Sequence, residues 1–157
     1  LKAKSKFRGY AGRFVLLYTM VYIVTATVFV AIQDVLPEAW RIALDFFKPY
    51  RAFDLLTVLA QVMRAGIMAL VLYPFYRIIV RDKDGLIVLF GALWGLAILG
   101  SLEPLPGTIE GMIYTETTAV EHLLVLAAGA VQVMVFCRVF LKWENRSSAG
   151  KRGEIHE

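Results

Sequence analysis

The sequence predicts an all-α, polytopic integral membrane protein, a four-transmembrane-helix bundle with a short amphipathic interfacial helix in the first outer loop. Three observations predict it. The chain of 157 residues is 59% hydrophobic and only 19% charged, with mean hydropathy +0.64, whereas soluble domains run at roughly 45–50% apolar and about 25% charged. Four apolar stretches approach the roughly 20 residues that a helix needs to cross about 30 Å of hydrocarbon. The basic residues gather at the ends of those stretches and not on one polar face, so the net charge of +4 reads as a topology signal and not as a nucleic-acid footprint.

The first stretch, Phe14 to Ile32, is bounded by Arg13 and Asp34. Its basic leader (Lys2, Lys4, Lys6, Arg8, Arg13) has the charge pattern of a secretory signal. The apolar run, however, exceeds the roughly 7 to 15 residues of a signal core, and no small-x-small cleavage pattern follows, so a spanning helix is expected. The first outer loop then puts Leu36, Trp40, Ala43, Leu44 and Phe47 on one helical face and Glu38, Arg41, Asp45 and Lys48 on the other, with Pro37 at the first helical position and Pro49 as the stop, a helix over about 37–48. Such a helix lies in the outer interface or packs as a lid across the bundle, two readings of equal standing.

The second stretch runs from Leu55 to Tyr76, carries Gln61, Arg64 and Pro74, and ends at Arg77 and Arg81. Pro74 removes a backbone hydrogen bond to Leu70 and is expected to kink the helix. The third, Leu86 to Ser101, is short and contains Gly91 and Gly95 at GxxxG spacing, read as helix packing. Pro104, Pro106, Gly107 and Gly111 break the connection that follows; a turn is expected at Pro106–Gly107, and residues 108–118 are expected to fold back onto the outer mouth. The fourth stretch, Leu123 to Phe140, closes with Arg138, Lys142 and Trp143. Residues 1–144 are thus read as one domain and 145–157 as a flexible cytoplasmic tail.

Lys and Arg near helix ends stay in the cytoplasm. The N-terminal segment holds five of them, the second connection three (Arg77, Arg81, Lys83) and the C-terminal end five (Arg138, Lys142, Arg146, Lys151, Arg152), against three in the first connection and none in the third. Both termini are therefore expected on the cytoplasmic side of a cell membrane. Asp34, Glu103, Glu110, Glu116 and Glu121 make the opposite side acidic.

Asp54, Thr57, Gln61 and Arg64 recur at spacings of 3, 4 and 3, which places them on one face of the second helix. Arg64 falls about 15 Å below Asp54, close to the membrane midplane, where a charge costs from about 2.5 to more than 10 kcal/mol. It is expected to face the bundle interior, to pair, or to meet water. Gln132 on the fourth helix and Tyr22 and Thr25 on the first reach similar depths and are expected partners. Glu121 and His122 are expected at the outer mouth of a cavity ending at Arg64. A single thiol, Cys137, excludes an internal disulfide within the chain. No metal site is read, since only His122 supplies a soft donor beside the acidic loop, and no pattern assigns a cofactor or a nucleophile–base pair.

Three function classes remain open, in descending order of support. They are a non-enzymatic subunit or assembly component of a membrane complex or homo-oligomer; a small-solute or ion carrier with an outward polar cavity ending at Arg64; and a membrane enzyme acting on a lipid or quinone. The partners expected are the lipid bilayer and another membrane subunit or a second copy, with no nucleic acid.

Overall fold

A computed structural model describes residues 2–37, 55–99 and 105–153. The expected interfacial helix, beyond Pro37, and Asp54 lie outside the described residues. The described residues are almost all helical, with no strand among them. Its helices are α1 (Lys2–Val35), α2 (Leu55–Leu72), α3 (Tyr76–Arg81), α4 (Gly85–Leu99), α5 (Ile109–Tyr114) and α6 (Ala119–Gly153), with a 3-10 turn at Tyr73–Phe75 joining α2 to α3.

Three segments are long and apolar enough to cross a membrane: Lys6–Val35, Leu55–Arg81 and Ala119–Ser147, of 30, 27 and 29 residues. The fourth expected span is shorter. α4 has 15 residues, about 22 Å of helix against a hydrocarbon core of about 30 Å.

Both outer helices extend past their expected limits. α1 starts at Lys2, twelve residues before Phe14, because Phe7, Tyr10 and Phe14 recur on one face and pack inward. α6 continues through the expected tail as far as Gly153. No proline interrupts residues 141–153, and extending an existing helix costs far less than starting one.

Pro74 occupies the start of the 3-10 turn, where its missing N–H and ring remove the α-helical bond and tighten the backbone. The expected kink is therefore a helix break. The α3–α4 turn closes on a Gly85 N–H donating to the Asp82 carbonyl, 3.2 Å. A Cβ at Gly85 would overlap the carbonyl oxygen of Ile79, so only glycine lets α4 fold back this tightly on α3.

α1 packs on both α2 and α6, while α4 packs on α3 and α6. Tyr10 lies against Tyr73 and Phe140, at centroid distances of 5.4 and 5.7 Å. The start of α1, the end of α2 and the end of α6 therefore meet at one end of the bundle. Because Arg13, Arg77, Arg81, Arg138 and Lys142 cluster there, we call it the basic end.

The fully buried core is concentrated near that end. Tyr10, Phe14 and Tyr18 from α1, Ala65 and Ala69 from α2, Leu89 and Leu93 from α4, and Phe136, Cys137 and Phe140 from α6 form one cluster. Toward the other end, large apolar side chains such as Leu55, Leu56, Leu96 and Leu123 are more than 60% exposed. Along α1, Leu16, Met20, Val24, Val28 and Ile32 form an outward stripe at every fourth residue. Water would charge heavily for such a surface, and lipid or another apolar helix accepts it. The three long apolar helices and these outward faces make the chain a membrane protein.

Candidate functional site

The residues of the expected polar stripe differ in burial. Gln61 is buried, Thr57 is half-buried and Arg64 is exposed, although all three stand on one helix at helical spacing. The face they share straddles the edge of the α1–α2 contact, so its residues divide between interior and surface. Among the described residues Arg64 makes no ion pair or hydrogen bond, but it stands within electrostatic range of the Tyr18 phenol. Tyr18 is five residues outward of Arg13 on α1, about 7.5 Å along the axis. Arg64 therefore stands along the middle of the bundle, within the long apolar segment Leu55–Arg81.

Of the expected partners, Thr25 is engaged within its own helix. The Thr25 hydroxyl donates to the carbonyls of Val21 and Tyr22 in its own helix, at 2.8 and 3.2 Å. Tyr22 is half-buried on α1, and Gln132 is half-buried on α6, with α1 the helix that contacts both α2 and α6.

Glu121 and His122 serve local structure at the opposite end. The Thr118 hydroxyl accepts from the Glu121 N–H at 3.3 Å, while the Glu121 carboxylate accepts from the Thr118 N–H at 2.7 Å. This reciprocal pair is a capping box that starts α6. His122 is buried, and its Nδ1 accepts the Gly107 N–H at 2.8 Å. That bond fixes the turn expected at Pro106–Gly107, where Gly107 has φ +86°. From His122 to Phe136, the α6 residue in contact with Tyr18 at 5.6 Å, the helix climbs 14 residues, about 21 Å. Glu121 and His122 therefore stand about 21 Å along α6 from the level of Tyr18, at the end of the bundle opposite the basic end.

Gly91 and Gly95 also differ from expectation. Open space surrounds both, so their spacing brings no helix close within the chain.

The best-formed polar constellation is one that sequence reasoning passed over. At the basic end Arg13 Nε donates to Glu144 Oε1 at 2.6 Å, and the Tyr76 hydroxyl donates to Glu144 Oε2 at 2.8 Å. The Glu144 side chain is 1% exposed and that of Arg13 22%. Both carboxylate oxygens are satisfied, as a buried charge requires. An aromatic box surrounds the node: Tyr10 meets Tyr76 edge-on at 5.3 Å, Phe14 meets Phe140 at 5.2 Å, and Phe7 meets Tyr73 at 4.8 Å.

No family profile, curated protein or solved structure matches the chain. The reading of this node rests on its chemistry alone. It ties α1, α3 and α6 together with one carboxylate, and both of that carboxylate's oxygens are engaged, which makes it a fastener. A signal for it existed in the sequence. Glu144 is the sole acidic residue between Glu121 and Glu154, set among Arg138, Lys142 and Arg146.

Among the described residues no group of three His, Cys, Asp or Glu side chains is placed to hold a metal ion. A cleft of about 260 Å³ opens between the α3–α4 turn and α6, lined by Asp82, Lys83, Arg138 and Asn145 over apolar residues. It belongs to the basic end, away from the outer mouth where the sequence placed a cavity.

Proposed function

We propose that the chain is a non-enzymatic subunit of a heteromeric membrane assembly, joined to its partner along the outward face of α2 that carries Arg64. The supporting observation is the exposure of Arg64 within an apolar helix face, where Ala60, Met63, Ile67 and Val71 are exposed beside it. A guanidinium facing acyl chains at that depth costs several kcal/mol at least. A carboxylate on a neighbouring helix removes that cost and adds a charge-assisted bond.

Among the described residues, a second copy of this chain offers no carboxylate at that depth. In a two-fold dimer about the membrane normal through α2, the two Arg64 side chains stand at equal depth and repel. Among the described residues, Asp34, Asp82, Asp84, Glu110, Glu116 and Glu121 lie at helix ends or in turns, and Glu144 is engaged by Arg13 and Tyr76. The loosely packed half of the bundle opposite the basic end also favours a neighbour that completes it. In this reading the short apolar α4 makes the fourth crossing. The basic end, including both termini, then faces the cytoplasm of a cell membrane, as the distribution of Lys and Arg favours.

A photo-crosslinking amino acid at Ile67, expressed in native membranes, tests the proposal. A discrete heteromeric adduct is expected that disappears with Arg64→Met while the thermal unfolding of the purified subunit is unchanged. An adduct at twice the 17.6 kDa of the chain, or one indifferent to Arg64→Met, would overturn it.

A further inference from the structure

The cleft at the basic end is built from two kinds of wall. Lys83 in the α3–α4 turn and Arg138 and Asn145 on α6 supply two cations and an amide, with Asp82 the one carboxylate at the rim. Its floor is apolar: Ile79 is 2% exposed, and Leu86 and Leu141 are half-buried. The floor continues onto α4, whose 15 residues are nearly all apolar. Arg81, Lys142 and Arg146, all exposed at the same end, outnumber the one further exposed carboxylate of the turn, Asp84, and bias the surroundings toward anions. The nearest buried acid, Glu144, adds no competing charge because Arg13 neutralises it.

A free anion has no use for an apolar floor, and a free hydrocarbon has none for the cations. One ligand class uses both, and it is present wherever this chain resides. We infer that the cleft holds an anionic phospholipid, its phosphodiester between Lys83 and Arg138 and the start of its acyl chain on Leu86 and Leu141. Basic pockets between transmembrane helices recognise headgroups in this manner. Trp143, 38% exposed on the same end of α6, suits the headgroup level. The site stands on a different surface from the Arg64 face and does not depend on it.

The test uses the full chain in detergent micelles, titrated with phosphatidylglycerol or with phosphatidylcholine of identical acyl chains and followed by native mass spectrometry. Phosphatidylglycerol is expected to bind at least about tenfold more tightly. Lys83→Gln and Arg138→Gln should each weaken it about fivefold and leave phosphatidylcholine unaffected. Asp82→Asn should tighten phosphatidylglycerol, a gain that misfolding cannot mimic. Equal affinity for the two lipids, or unchanged affinity in the Lys83→Gln/Arg138→Gln double variant, would refute the site. Phosphatidylethanolamine binding as tightly as phosphatidylglycerol would show a zwitterion bridging to Asp82, and would refute the anionic assignment. Displacement of the lipid by excess inorganic phosphate would refute it in favour of a free-anion site.

Discussion

Replacing Glu144 with leucine isolates the fastener at the basic end. The change removes the acceptor of the Arg13 and Tyr76 bonds and leaves a guanidinium, 22% exposed, without its counter-charge inside an aromatic box. Breaking a fully buried pair from one side costs about 3–5 kcal/mol. The partial exposure of Arg13 and its place near the bundle end let water reach the orphaned cation, which argues for the low end, about 3 kcal/mol. That loss is a roughly hundredfold change in the folded-to-unfolded ratio. Glu144→Gln retains an acceptor for Tyr76 but not the charge, and should cost less, about 1–2 kcal/mol. Arg13→Met together with Glu144→Leu removes both charges and should recover much of the loss. The assay is reversible unfolding in mixed micelles with increasing dodecyl sulfate, followed by helical circular dichroism for wild type, both singles and the double. A coupling energy of about 1.5 kcal/mol or more is expected from the cycle. A value below about 0.5 kcal/mol would refute the claim that the pair holds α1 to α6.

Gly85→Ala should destabilise the α3–α4 hairpin by about 2 kcal/mol or more, since its Cβ meets the Ile79 backbone; a wild-type unfolding midpoint would contradict the tight return. His122→Ala leaves the Gly107 N–H without its acceptor and should cost about 1–3 kcal/mol, with faster amide exchange at Gly107 than at neighbouring residues as the diagnostic. Thr118→Ala removes the α6 cap and should cost about 1 kcal/mol, read from the same unfolding curves. In a Cys137→Ala background, an impermeant thiol reagent added from the outside should label a cysteine at Thr108 and spare one at Ser147. The reverse pattern would invert the orientation.

The sequence determined by itself that this chain belongs in lipid, that Pro74 disturbs the second apolar stretch and that Pro106–Gly107 turns the chain. Each of these follows from local chemistry: transfer of apolar side chains, a missing N–H, a backbone that only glycine tolerates. The capping box of Thr118 and Glu121 was equally local, although the sequence suggested an outer mouth for Glu121 instead. Tertiary structure alone decided which side chains meet. Arg64 shares a helical spacing with Gln61, yet the edge of the α1 contact runs between them, and no periodicity reveals where a neighbour's edge falls. Arg13 and Glu144 are 131 residues apart and each resembled an ordinary end-of-helix charge. They become a buried pair because Tyr10, Phe14 and Phe140 pack α1 against α6 in one antiparallel register, and register is a property of two helices together.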